Sequence, residues 1–194
     1  MLSTSRSHVR LHAATGVAAV VASVGAVTLP AQAADAAGPG PRAVAIPGLA
    51  DAIKPPAGSR PIGAYVVVAG TQNYTCVVAA GATTGAYTGA AVPEAQLVGT
   101  GGRLHHFAGP SWQSERDGSL VTATKVAASA RTDAIPELLL KVLTHTGKGV
   151  LDRADYINRL HTSGGVAPTS SCTTGETVRV PYKAVYVFWD APAA

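Results

Sequence analysis

The stretch VRVPYKAVYVFW, residues 178–189, decides the fold class of this chain. If the segment is extended, every second side chain falls on the same face. One face then carries a row of apolar and aromatic residues, namely Val180, Tyr182, Ala184, Tyr186 and Phe188. This period of two, with its β-branched and aromatic residues, predicts a long β-strand. Pro181 has no backbone N–H to donate, which indicates a sheet edge or a bulge at that position.

Shorter strand candidates fill most of the chain before this segment, and Gly, Pro and Asn residues separate them. They cover residues 62–69, 71–78, 95–98, 103–107 and 120–127. The first two, which follow each other closely around Gly70, predict a hairpin. Short strands at regular spacing, with turns rich in Gly and Pro, predict an all-β fold. We expect a single sandwich or barrel domain of short antiparallel strands, with room for one short helix.

Two segments fit either a helix or a strand. Residues 136–143 (PELLLKVL) contain good helix formers behind a proline, and residues 151–160 place apolar side chains at intervals of three. The second segment also alternates at Tyr156, Asn158 and Leu160 and runs into a Gly-rich turn. We expect strands at both places.

The first 33 residues have the organisation of a secretory signal peptide. Arg6 and Arg10 precede an uncharged apolar run, which ends in the small-x-small pattern Ala31-Gln32-Ala33. Cleavage is therefore expected between Ala33 and Ala34. Because the apolar run is too short to span a bilayer comfortably, we expect a secreted, extracellular protein with no membrane anchor after cleavage.

The remainder divides into an Ala-, Gly- and Pro-rich linker or arm over residues 34–59 and a β domain over residues 60–190. Loss of Arg6 and Arg10 would leave 13 basic and 11 acidic residues, which lowers the formal net charge from +4 to +2. The basic residues are scattered. This charge distribution argues against nucleic acid as a partner.

Cys76 and Cys172 are the two cysteines of the chain. In an oxidising extracellular environment they are expected to form a disulfide that links the start of the β domain to its end. The alternative is a pair of metal-binding or redox thiols. No CxxC spacing supports that alternative.

His106 is the centre of the candidate catalytic chemistry. With Ser111 and Asp117 it could form a hydrolytic trio, although no GxSxG elbow accompanies Ser111. It could also be a metal ligand, with His145, Asp117, Asp155 or His161 as partners, but the sequence has no HxH or HExxH spacing that would support such a site. The structural alternative is a hydrogen bond from His106 to a backbone carbonyl near Trp112. If the strand is regular, His105 and His106 point to opposite faces.

Trp112 is the candidate ligand-binding residue. It follows Gly109-Pro110, which predicts an exposed loop, and an exposed indole offers a rigid apolar platform with a polar tip. A buried Trp112 would count against binding at such a surface. No cofactor is expected, because the Gly-rich turn at residues 99–104 has Leu104 where a dinucleotide-binding fingerprint needs its third glycine.

A series of short motifs resembles the domain of unknown function 3455, which is found in secreted bacterial and fungal proteins. The resemblance covers about residues 55–190. In order, the motifs are GTQNYTC (70–76), HFAGPSW (106–112), DGS (117–119), IP (135–136), LLLK (138–141), YINRL (156–160), GGVAP (164–168), Cys172 and VPYKAVY (180–186). Two positions depart from the family pattern: Glu137 stands where Trp is expected, and His161 stands where Asn or Asp is usual.

This resemblance implies a secreted domain and implies no activity. We therefore expect a non-enzymatic protein that binds a small molecule, a glycan or another extracellular partner, or that has a structural role outside the cell. The alternative is a small metal-dependent or hydrolytic enzyme centred on His106. That alternative requires His106 in a cleft where at least two polar side chains converge on it.

Overall fold

The computed structural model of the chain describes residues 46–193. The expected signal peptide at residues 1–33, the cleavage site between Ala33 and Ala34, and the first part of the 34–59 segment lie outside this range. Over residues 46–193, no helix is long and apolar enough to cross a membrane.

Eight antiparallel strands form a closed barrel in which each strand pairs with the next along the chain and β8 pairs with β1. The strands are β1 Arg60–Thr75, β2 Val92–Gly99, β3 Gly102–Phe107, β4 Ser111–Ser114, β5 Leu120–Arg131, β6 Ala134–Thr146, β7 Tyr156–Gly164 and β8 Thr177–Asp190. A single 3-10 turn, Asp51–Ile53, is the helical element of the described residues. The all-β prediction is confirmed, and the architecture is a barrel.

The alternation read from residues 178–189 determines which side chains fill the barrel. Tyr182, Ala184, Tyr186 and Phe188 belong to the buried interior cluster. The intervening outward side chains include Val187 and Trp189, which belong to a second cluster outside the barrel wall. Because the barrel has no free edge, Pro181 marks a bulge: the pairing of β8 with β1 shifts register next to it.

The predicted hairpin at residues 62–78 is wrong, because residues 62–75 lie in one continuous strand, β1, and residues 76–78 follow its end. Its pairing with β2 shifts register between Val67 and Ala69, so the chain bends there without reversing. A Cβ atom on Gly70 would lie 2.8 Å from the Cβ of Ala95. Gly70 therefore permits close contact between two strands at this bend.

Both ambiguous segments contain strands, as expected. Residues 136–143 lie within β6. The second segment divides, because residues 151–153 form a turn and the strand β7 begins at Tyr156. Pairing with neighbouring strands determines that these segments are extended and not helical, because the strands on both sides supply their backbone hydrogen bonds.

The chain before β1 covers part of the outer barrel wall. Ile53 is fully buried and packs in the outer cluster with Leu160, Val187 and Trp189. Ile46, Leu49 and Ala50 pack against the same cluster. This N-terminal cover explains why the outward side chains of β7 and β8 are apolar as well as the inward ones.

The predicted disulfide between Cys76 and Cys172 is confirmed, with the two Cα atoms 5.9 Å apart. It joins the β1–β2 loop to the β7–β8 loop at one end of the barrel. Tyr74 and Tyr87 pack around it, and Ala91 packs against this cluster. Backbone hydrogen bonds between Gly85 and Cys172 also join the two loops, and the Tyr74 hydroxyl at the end of β1 donates to the Gly165 carbonyl oxygen at 2.6 Å.

Candidate functional site

The interior of the barrel contains a cavity of about 370 Å³ near the end that carries the disulfide. All eight strands contribute to its lining, with Gln72, Pro93, His106, Trp112, Lys125, Leu138, Arg159 and Tyr186 in strand order. Its rim includes residues 90–91 and 108–110, which belong to the β1–β2 loop and the β3–β4 turn. Ala91 belongs to this rim and also packs on the disulfide cluster. The disulfide therefore supports the mouth of the cavity.

Aromatic rings form one wall of the cavity. His106 and Trp112 are direct cross-strand partners on β3 and β4, which puts both on the inner face. Their rings stack with centroids 4.2 Å apart and planes inclined by 4°. Tyr186 meets both rings edge-on, at centroid distances of 5.2 Å and 5.6 Å. The wall is a rigid, mainly apolar surface.

His106 is held by the turn that it precedes. Its Nδ1 lies 2.8 Å from the backbone oxygen of Ser111, and since a carbonyl only accepts, Nδ1 carries the proton. Burial, with a smaller contribution from the nearby Arg159 charge, lowers the pKa of His106 to about 3. His106 is therefore neutral at pH 7, and Nε2 keeps a free lone pair. A ring with so low a pKa is a weak general base.

The charge of the cavity lining is positive. Lys125 and Arg159 are its cations, and its lining has no Asp or Glu. In residues 46–193, no carboxylate oxygen lies within 4.0 Å of either cation. Arg159 donates Nε–H and Nη2–H to the Pro136 carbonyl oxygen at 3.1 Å and 2.9 Å, which fixes the guanidinium.

Two buried N–H donors on cavity-lining side chains have no acceptor. They are Nε1 of Trp112 and Nε2 of Gln72, neither of which has an acceptor within 3.5 Å among the described residues. The Gln72 amide still lies close enough to the Tyr182 hydroxyl to act against the rise in its pKa, so Trp112 Nε1 is the more fully unpaired of the two. A buried donor without a partner costs about 1–3 kcal/mol. An acceptor oxygen supplied from the cavity would remove part of that cost.

The predicted position of Trp112 in an exposed loop is wrong. Trp112 lies on β4 and is 1% exposed, with its ring in the barrel interior. The turn ends at Pro110, so β4 begins one residue before Trp112 and its alternation turns the indole inward. A surface platform at Trp112 is therefore excluded, and the residue contributes instead to the cavity wall.

The candidate trio of His106, Ser111 and Asp117 is not joined by hydrogen bonds. His106 bonds to the backbone of Ser111, while the Ser111 hydroxyl donates to the Ala108 carbonyl at 2.9 Å. Asp117 lies beyond the opposite end of β4, where its carboxylate accepts from Ser119. His106 therefore makes the contact expected of a structural residue, a hydrogen bond to a backbone carbonyl near Trp112.

The other histidines lie apart from the cavity. His105 points away from His106, as the alternation predicts, and its Nε2 lies 2.7 Å from Glu94 Oε1. His145 Nε2 lies 2.8 Å from the Ala154 carbonyl oxygen. Within the part of the chain that the structure describes, no group of three or more His, Cys, Asp or Glu side chains could hold a metal ion.

The two departures from the family pattern, Glu137 and His161, contact each other. The backbone N–H of His161 donates to Glu137 Oε1 at 2.8 Å. His161 has a φ of 51°, in the left-handed region that Asn and Asp adopt more readily than other side chains. The Glu137 carboxylate therefore stabilises the strained backbone of His161 at the bulge in β7.

Sequence reasoning missed Arg159, Lys125 and Gln72. A signal was present for Arg159, because it stands two residues after Ile157 and so shares the inward face of β7. A charged side chain on the buried face of a strand is uncommon and indicates a polar interior. Identifying that face required the position of β7 between β6 and β8.

Residues 100–190 match the family model described as "Protein of unknown function (DUF3455)". This match agrees over that range with the resemblance predicted from the sequence motifs. It runs from the β2–β3 turn to the end of β8 and includes His106, Trp112, Lys125, Arg159 and Tyr186 of the cavity. No curated protein and no solved structure matches the chain.

Proposed function

We propose that this protein, with its DUF3455 match over residues 100–190, is a secreted, non-enzymatic binding protein that holds a small molecule inside the open end of its barrel. One observation carries the proposal. Every strand contributes a side chain to one cavity of about 370 Å³, and two buried donors on its lining lack acceptors. Small-molecule sites have this combination of an apolar lining, volume above roughly 300 Å³ and a few polar groups.

The barrel size supports the proposal. Eight strands enclose an interior that side chains can just fill, or that can hold one small ligand. The end away from the disulfide is filled, with Tyr65, Leu97, Leu104, Leu151 and Phe188 among its fully buried side chains. A barrel of eight strands therefore does not have to be hollow. The cavity results from the particular side chains that line the disulfide end.

The chemistry of the lining favours binding over catalysis. The neutral His106 bonds to a backbone oxygen, and neither Ser111 Oγ nor Asp117 bonds to it. Its closest ring contacts are aromatic. Export is supported by the sequence features of residues 1–33 and by the disulfide, which suits an oxidising environment.

The two tryptophans provide the test, because each has one indole N–H resonance. Trp112 Nε1 is unpaired beside the cavity, whereas Trp189 Nε1 donates to Asn158 Oδ1 at 2.9 Å outside the barrel. We expect 3-phenylpropan-1-ol, added to the purified ¹⁵N-labelled protein, to shift the Trp112 resonance in a saturable way. The Trp189 resonance is the internal control and should stay in place.

A matched pair of variants locates the effect. Leu140→Phe enlarges a buried side chain of the cavity lining, whereas Leu143→Phe makes the same change at an exposed outer position. Binding should be lost in Leu140→Phe and retained in Leu143→Phe. An unchanged Trp112 resonance in the wild type, or equal binding in both variants, would overturn the proposal.

A further inference from the structure

We infer that the ligand of the barrel cavity is an amphiphilic carboxylate, whose head group binds Arg159 and whose apolar body lies against Leu138, Leu140 and Trp112. This inference rests on the proposed binding function and specifies its ligand class. It follows from the charges of the lining, its balance of donors and acceptors, and the position of its apolar surface.

The first argument is the uncompensated charge of Arg159. Arg159 is half-buried, and its guanidinium donates to a neutral carbonyl, that of Pro136, through two hydrogen bonds that are open to solvent. Across the described chain, no carboxylate lies within 4.0 Å of it. A charge removed from water needs a counter-charge, and a guanidinium has five N–H donors. Arg159 also acts on the Tyr186 hydroxyl through a side-chain hydrogen bond, and the donors that neither Pro136 nor Tyr186 occupies remain available for a carboxylate.

The direct cross-strand partner of Arg159 is Tyr186, on β8. Burial raises the pKa of the Tyr186 hydroxyl, and the Arg159 charge acts against that rise. The same charge also acts on His106, Tyr74 and Tyr182. Three of these rings lie in the barrel and Tyr74 lies at its disulfide end, so the positive potential of Arg159 extends over that end of the interior.

The second argument is the excess of hydrogen-bond donors. Arg159, Lys125, Trp112 Nε1 and Gln72 Nε2 all donate. The neutral His106 supplies an acceptor at Nε2. A ligand that satisfies this set needs acceptor oxygens and a negative charge. The lining has two cations, the half-buried Arg159 and the exposed Lys125. This number suits a single carboxylate better than a polyanion.

The third argument is the apolar remainder of the cavity. Leu138 and Leu140 line it from β6, Pro93 lines it from β2, and the stacked wall of His106 and Trp112 completes it. Such a surface binds an aromatic or aliphatic body by the hydrophobic effect. Arg159 is the direct cross-strand partner of Leu138, and Lys125 is that of Leu140, so each cation borders the apolar surface. A ligand with a charged head on an apolar body can therefore contact both.

The experiment compares 3-phenylpropanoate with 3-phenylpropan-1-ol, which share the body and differ in the charge of the head. Calorimetry at pH 7 gives both affinities. We expect the wild type to bind the carboxylate at least about tenfold more tightly, which corresponds to about 1.4 kcal/mol. In Arg159→Met the ratio should fall towards one, with the affinity for the alcohol preserved.

Two further variants keep the test interpretable. Arg103→Met removes an exposed arginine of β3 and should leave the ratio unchanged. Lys125→Met should lower the ratio of carboxylate to alcohol affinity by about two- to threefold. If Arg159→Met does not fold, Lys125→Met tests the inference in its place. Equal affinities in the wild type would overturn the carboxylate inference and leave the binding function standing. A preference that survives in Arg159→Met would also overturn it. Failure of both probes to bind would overturn the proposed function itself.

Discussion

Asn158 connects the N-terminal cover to the barrel wall, and its substitution by Asp gives a sharp test of that connection. Its side chain is fully buried. Nδ2 donates to the backbone oxygens of Ile53 and Leu138, at 2.8 Å and 3.0 Å, and Oδ1 accepts from Trp189 Nε1. Asn158→Asp keeps the shape and the acceptor, but it places an oxygen where both donors stood.

The expected loss of stability follows from these contacts. Each buried carbonyl left without a donor costs about 1–3 kcal/mol, so the two together cost about 2–6 kcal/mol. An ionised carboxylate in that position adds repulsion from both carbonyl oxygens and a desolvation cost. We therefore expect Asn158→Asp to lower the free energy of unfolding by at least about 4 kcal/mol at pH 7. A domain of this size has about 5–15 kcal/mol in total.

Urea denaturation followed by circular dichroism measures this change, and the exposed amide Gln113 supplies the control. Gln113→Glu makes the same type of change on the outer face of β4 and should alter stability by less than about 0.5 kcal/mol. A loss below about 1 kcal/mol in Asn158→Asp would refute the role assigned to Asn158.

The pH dependence of Asn158→Asp provides a second check. Burial raises the folded-state pKa of the introduced carboxyl group above its unfolded value of about 3.9. Below that unfolded value the group is protonated in both states, so the penalty is smallest there. It grows as the pH rises through the folded-state pKa. The difference in stability from the wild type should therefore be larger at pH 7 than at pH 4, and the opposite order would contradict the argument.

Two further predictions concern the disulfide and the β4–β5 turn. The double variant Cys76→Ser/Cys172→Ser removes a cross-link between residues 96 positions apart, so unfolding should require about 4–5 kcal/mol less, measured by urea denaturation against the oxidised wild type. A loss under about 1 kcal/mol would contradict this. Asp117 accepts hydrogen bonds from the Ser119 side chain and backbone, which lower its pKa to about 2. Its stabilising contribution is thus present above about pH 4 and lost as the pH falls through about 2. Melting temperatures of Asp117→Asn and the wild type should differ at pH 7 and converge near pH 2, whereas a constant difference would rule out the carboxylate as its origin.

Local patterns were sufficient for most of the secondary structure. The alternation at residues 178–189 and the turns at residues 99–102 correspond to β8 and the β2–β3 turn. They succeed because a strand with one buried face must alternate in sequence. Gly70 misled the same reasoning. It lies inside β1, where its lack of a side chain permits close contact with Ala95 of β2, and a glycine of that kind has the same local sequence signature as a turn.

The candidate site was predicted in part. His106 and Trp112 were selected from the sequence, and both line the cavity. Their roles depend on β4, a four-residue strand too short for a clear pattern. Its pairing between β3 and β5 turns Trp112 inward and stacks it on His106. Arg159 and Gln72 enter the site because β7 and β1 are separate neighbours of β8 in the closed ring.

The sequence by itself determined the all-β class, the disulfide pair and the inward face of β8, because these depend on the residue types and on spacing along one strand. The tertiary structure decided that the sheet closes into a barrel, that Trp112 is buried and that two cations line its cavity. Those features arise from contacts between strands far apart in the chain. The cavity exists because the side chains contributed by all eight strands do not fill the space that they enclose, and no single segment of the sequence contains that information.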